Sequence, residues 1–189
     1  NVASFLYFRA HLYLDFDRYD YASRDFKKAI ELDPKYVKAY VGAAEAYEKA
    51  GKYKESLAFY FEAIQLDIKN HELYRKKAFV HQQLGEYDKA LVTYDHAVKL
   101  DPTDALNYSL RGDLYKDAGD FEKALDDFGR AIEVTPKNSR SGSRRYLERG
   151  KFYRELGRLQ EALADFNKAN ELRPEYVTPY VERGSLYIE

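Results

Sequence analysis

The sequence predicts an all-α fold, a solenoid of antiparallel helix pairs. Three observations carry this. One seven-residue frame recurs at a nearly fixed interval, small residues recur in register with large aromatic ones, and glycines and prolines punctuate the chain between helix-forming stretches.

The frame is plainest as Gly-Glu-Tyr-Asp-Lys-Ala-Leu at 85–91 and Gly-Asp-Phe-Glu-Lys-Ala-Leu at 119–125, 34 residues apart. Gly-Lys-Tyr-Lys-Glu-Ser-Leu at 51–57 lies 34 residues earlier, and Gly-Arg-Leu-Gln-Glu-Ala-Leu at 157–163 lies 38 later. Residues 17–23 hold a first copy in phase, with Asp17 in place of the turn glycine. Each repeat reads as two helices. Residues 37–50 are rich in good helix formers, Gly51 supplies a left-handed stop, and a second helix follows from about 54 to 66. Pro34, Pro102, Pro136 and Pro174 close four second helices; Ile68 stands in that place in the second repeat and predicts a softer boundary. Such short links make the two helices antiparallel neighbours.

The single solenoid, 1–189, divides into repeats at about 3–36, 37–70, 71–104, 105–138 and 143–176, with a lone helix at 177–189. The four extra residues behind the longer interval read as an inserted, solvated loop at about 139–142. Ala10, Ala44, Ala78, Gly112, Gly150 and Gly184 mark close approach on the first helices. Ala22, Ser56, Ala90, Ala124 and Ala162 do so on the second. Phe26, Tyr60, Tyr94, Phe128 and Phe166 share one packing phase; Tyr13, Tyr47, Tyr115, Tyr153 and Tyr187 share another, where His81 is the exception and is read as core.

These residues, in the order Ala/Gly, Tyr, Gly, Tyr, Ala, Phe, Ala, Pro, resemble the tetratricopeptide repeat (TPR) family over essentially the whole chain. The resemblance implies a right-handed superhelix and a protein-binding module. Arg9, Lys77, Arg111, Arg149 and Arg183 stand where the family often has leucine, and their stems are expected to cover apolar surface while the charged ends reach water.

Composition removes several function classes. Formal net charge is −1, from 31 basic and 32 acidic residues, which gives no general attraction to nucleic acid or to an anionic membrane. There is no cysteine, so thiolate chemistry and cysteine-held metals are excluded. His11, His71, His81 and His96 fall at no metal-ligand spacing, and adjacent carboxylates such as Asp126 and Asp127 read as solvated surface. The chain is therefore read as no enzyme, with no cofactor and no metal. A cytoplasmic location is the expectation. Asn1 at the start points to a fragment, a processed product or a trimmed chain, and the absence of Met and Trp beside 19 Tyr leaves a designed scaffold open.

Helical geometry at 100° per residue leaves one flank of each first helix unused by the hairpin seam. In the TPR family such flanks line a concave groove that takes an extended peptide or a helix. Carried onto this chain, the groove comprises Tyr7, His11 and Leu14; Val41, Glu45 and Glu48; Arg75, Phe79 and Gln82; Ser109, Asp113 and Lys116; and Leu147, Lys151 and Arg154. Tyr7, Phe79 and Leu147 are the apolar members that most suggest an interaction surface. Seven basic residues against two acidic ones over 140–158 point to an acidic ligand near Arg144, Arg145, Lys151 and Arg154. The lysine–asparagine clamp by which some TPR domains hold chaperone tails is absent in every frame; Tyr7, His11 and Gly42 stand there in the first. The alternative to a peptide scaffold is self-assembly through the terminal helices. The first is apolar nearly all round, and the last carries Tyr180, Val181, Leu186, Tyr187 and Ile188.

Overall fold

The computed structural model describes residues 1–136 and 139–186, which form eleven α-helices and no strand. The chain divides into two units, Asn1–Asp101 and Pro102–Glu189. The first holds three helix pairs: α1 (Val2–Asp15) with α2 (Tyr19–Leu32), α3 (Val37–Lys49) with α4 (Tyr53–Leu66), and α5 (His71–Gln83) with α6 (Tyr87–Leu100). The second holds α7 (Ala105–Asp117) with α8 (Phe121–Glu133) and α9 (Arg140–Glu155) with α10 (Leu159–Leu172). The last helix, α11 (Val177–Ser185), packs on α10. No helix is long and apolar enough to cross a membrane among the described residues.

Small residues and rings make the seams. Phe26, Tyr60, Tyr94 and Phe166 are fully buried, and Ala22, Ala90 and Ala162, one turn before three of these rings on the same helix, lie at zero exposure, as does Ala124 before Phe128. Gly42 lets α3 close on Phe26 so tightly that an added Cβ would stand 2.4 Å from the ring. Within each hairpin the turn needs a residue of positive φ. Gly51, Gly85, Gly119 and Gly157 supply it, and Asp17 does so at φ 56° in the first, where its Oδ1 accepts from the Tyr19 hydroxyl at 2.7 Å. The boundary at Ile68 is no softer than the others. α4 has the same length as α2, because Asn70 Nδ2 donates to Asp67 at 3.0 Å and fixes the turn without proline.

Three expectations need correction. Residues 140–142 are helical, not loop: Ser139 caps α9 by accepting from the Gly142 N–H at 3.0 Å, so part of the insertion lengthens the helix. The arginines do more than reach water. Arg9, Arg111 and Arg149 each make two-pronged bonds, at 2.6–2.9 Å, to the aspartate 16 positions on, Asp25, Asp127 and Asp165. Asp127 is accordingly 2% exposed, and is not solvated surface like its exposed neighbour Asp126. A buried carboxylate persists only when its lone pairs are met, and the planar guanidinium meets them two at a time. His81 is buried, with Nδ1 2.7 Å from Glu86 Oε2. Tyr187 and Ile188 lie outside the described residues.

Candidate functional site

In the first unit α1, α3 and α5 position the flank residues. Tyr7 and His11 meet edge to face at 4.5 Å, and both rings pack on Phe26, so they are half-buried rather than free. Burial, then Tyr36 and Glu45, raise the Tyr7 pKa. Leu14 belongs to the core beside Ala22 and Phe26 and leaves the groove. Glu45 accepts from Lys76 Nζ at 2.6 Å, and Glu48 accepts from the Tyr60 hydroxyl at 3.2 Å. Burial holds the Glu48 carboxyl above the usual carboxylate range, although Tyr60 and Lys76 pull it down. Val41 packs against Tyr60 and Ile64. Arg75 and Gln82 are half-buried, while Phe79 offers the one large apolar surface of the set at 38% exposure.

In the second unit the predicted residues part ways. Leu147 is 1% exposed and packs on Ala162 and Phe166, so it is a seam residue and not an interaction surface. Its place on the helix lies on the border of the hairpin seam, and a leucine there turns inward. Arg154 reaches Glu182 at 2.5 Å, Lys116 reaches Glu155 at 2.5 Å while lying over the Phe152 ring, and Lys151 stands 3.9 Å from Glu148. The basic surplus expected over 140–158 is thus partly spent on internal acids.

Ser109 and Asp113 do converge, in a cleft of about 470 Å³ among α7, α8 and α9. Its apolar wall is Leu106, Leu110 and Phe128; its polar wall is Arg144, Arg145 and Glu148. Arg145 Nη1 donates to Ser109 Oγ, and its Nε is buried without a hydrogen-bond partner. The Asp113 carboxyl is pushed up to about 6 by burial, with Asp117 and Glu148 adding to the effect and Lys116 opposing it. The cleft has a sequence cause. Arg145 occupies the repeat position filled by Ala39, Leu73 and Asn107, which are all buried, the first two against the preceding hairpin. A guanidinium there cannot seal the seam as a methyl or isobutyl group does, and α9 packs only thinly on α8. The contributions of Leu106, Leu110 and Glu148 were not read from the sequence; comparing this one repeat position would have found the opening. No group of three or more acidic or histidine side chains among the described residues is arranged to hold a metal.

Family models of the tetratricopeptide repeat match residues 7–71 and 105–138, and a TPR repeat model matches 83–119 and 150–189. The chain belongs to the TPR family. No curated protein matches it. Among solved structures, this TPR chain is similar to MamA at TM-score 0.73 and 23% identity, over 88% of this chain and 95% of that one. It is similar to a tetratricopeptide repeat protein from Parabacteroides merdae at TM-score 0.76 and 23% identity, over 99% and 73%. It also resembles YrrB, described as a TPR protein with an unusual peptide-binding site, at TM-score 0.67 and 23% identity, over 95% and 90%. Identities this low speak for the TPR fold alone.

Proposed function

We propose that this TPR chain is a protein-interaction scaffold that holds an extended peptide or a helix on the exposed flanks of its first helices. The observation that carries the reading is the cleft of the second unit. It places the donors of Arg144 and Arg145 and the acceptors of Ser109 and Asp113 over an apolar floor. An extended backbone offers both donors and acceptors, and its side chains can enter the apolar part, so mixed polarity suits a peptide better than a simple anion. In the first unit the exposed ring of Phe79 plays the apolar part. The peptide-binding description of YrrB agrees with this reading. Peptides selected from a displayed random library against the whole chain, then titrated by fluorescence anisotropy, test it. Affinity is expected to fall about tenfold or more in Arg145→Ala and in Asp113→Ala. Equal affinity in both variants would remove the proposal.

A second reading, association with another copy, rests on α1. Phe5, Phe8, Leu12 and Phe16 are all more than half exposed and form one stripe. The first three correspond by repeat position to Ala39, Gly42 and Ala46, which are buried. Sedimentation over a concentration series distinguishes this reading, since Phe8→Ser with Leu12→Ser should abolish self-association without lowering stability. A chain monomeric at all concentrations rejects it.

A further inference from the structure

The paired arginines and aspartates are a repeat-position pattern that is complete in three hairpins and absent in one. The α1/α2, α7/α8 and α9/α10 hairpins carry Arg with Asp 16 positions on. The α3/α4 hairpin carries Ala43 and Phe59, with no charge at all. Even Arg183 on α11 finds an oxygen, Asn167 Oδ1, at 2.9 Å. Only the α5/α6 hairpin is half-charged: Lys77 stands in the arginine position and Thr93 in the aspartate position. Lys77 is partly buried, makes no ion pair among the described residues, and lies with Nζ 5.8 Å from the Phe61 ring centre. Thr93 offers no counter-charge for it: its hydroxyl is neutral and donates to the Lys89 carbonyl at 2.7 Å.

The ammonium opens into a furrow of about 630 Å³ between α4 and α6, on the hairpin side away from the flank residues described above. Leu57, Ala58, Phe61 and Val92 supply its apolar walls, and Phe61 and Val92 are 49% and 59% exposed. The other charges around it are largely engaged. Lys89 and His81 both bond Glu86, at 2.9 and 2.7 Å, and Asp88 sits exposed on the rim. A partly buried cation with no ion pair among the described residues, framed by uncovered apolar side chains, is suited to a carboxylate that arrives attached to apolar groups. Burial lowers the Lys77 pKa, which agrees with a charge awaiting a partner.

We infer that this furrow is a second docking surface, whose occupant is a partner-protein segment bearing an acidic residue flanked by apolar ones. The acidic side chain takes at Lys77 the place that Asp25, Asp127 and Asp165 take in the other hairpins, while Phe61 and Val92 receive its neighbours. The inference does not depend on the unit-two cleft.

A random twelve-residue peptide library displayed on phage is the probe, selected in parallel against the wild-type chain, Lys77→Met and Thr93→Asp. Thr93→Asp supplies the missing carboxylate from within. Wild type is expected to enrich peptides with Asp or Glu beside two or more Leu, Ile or Phe. Both variants should bind these at least about tenfold more weakly, and replacing the peptide's Glu by Gln should cost as much. Circular dichroism confirms that each variant folds, and Lys77→Met decides alone if Thr93→Asp does not. Enrichment without an acidic residue, no enrichment, or unchanged affinity in the folded variants overturns the inference. Loss of affinity in Arg145→Ala but not in Lys77→Met assigns the peptides to the other cleft and overturns it as well.

Discussion

Removing the aspartate from one buried pair isolates what an arginine–aspartate pair contributes. In Asp165→Ala the Arg149 guanidinium loses both of its 2.8 Å bonds while its stem stays enclosed between α9 and α10. Stranding one partner of a buried pair costs about 3–5 kcal/mol. The Arg149 side chain keeps 20% of its surface in water, and Asp165 only 5%, so the stranded charge can relax outward and the cost falls at about 3 kcal/mol. For a chain of this size that is a drop of about 6–12 °C in Tm. Burial raises the Asp165 pKa in spite of Arg149, a sign that desolvation takes back much of what the pairing gives. The double variant Arg149→Leu with Asp165→Ala should therefore recover to within about 1 kcal/mol of wild type. Urea unfolding followed by circular dichroism gives the magnitude. Amide exchange over α9 and α10 localises it, because repeat proteins need not unfold as one cooperative body. A single variant within about 0.5 kcal/mol of wild type, or a double variant worse than the single, would refute the reasoning.

Glycine substitutions should rank by the space available. Gly42→Ala meets the Phe26 ring at 2.4 Å and Gly150→Ala meets Phe166 at 2.7 Å, so thermal melts should show losses of about 1–3 kcal/mol, larger for Gly42. Gly184→Ala meets nothing within 4 Å and should be neutral or slightly stabilising, as helix propensity favours alanine. Asp113, pushed up to about 6, behaves as a carboxyl whose folded pKa exceeds its unfolded value: the stability it contributes is fully present below about pH 4 and is lost as pH rises through 6. Asp113→Asn should accordingly match wild type near pH 3.5 and melt higher than wild type at pH 7; coincident melting curves at pH 7 would contradict this.

The hairpins were legible because their signal lies in residues that any close-packed pair of helices needs. A small residue one turn before a ring on the same helix face is informative by itself, and Ala22 with Phe26, or Ala162 with Phe166, repeats it down the chain. The arginine–aspartate pairs were equally present in the sequence, yet invisible to residue-by-residue reading. Arg111 alone looks like a long stem bound for water, and Asp127 alone looks like half of a surface doublet. Only their common 16-residue offset, seen again at Arg9 and Arg149, joins them. Flank residues were harder, because 100° per residue locates a direction but not how far a side chain reaches. Leu147 fell on the seam by a small rotation, whereas Phe79, on the equivalent flank of α5, stayed out. The unit-two cleft was least legible, since it comes from Arg145 failing to fill a site, and a gap has no letter of its own.

Repeats this alike invite a characteristic error, the closing of a first helix on the wrong second helix, since nearly every seam offers the same alanine and ring. The uneven pattern of charged pairs opposes it. Were α1 to close on α4, Arg9 would face Phe59 and Asp25 would be abandoned elsewhere; were α3 to close on α2, Ala43 would meet a buried carboxylate with no cation. Three hairpins keyed by charge, one keyed without it and one keyed by half thus give neighbouring repeats separate identities during folding, a safeguard against swapped partners that perfect repetition would forfeit.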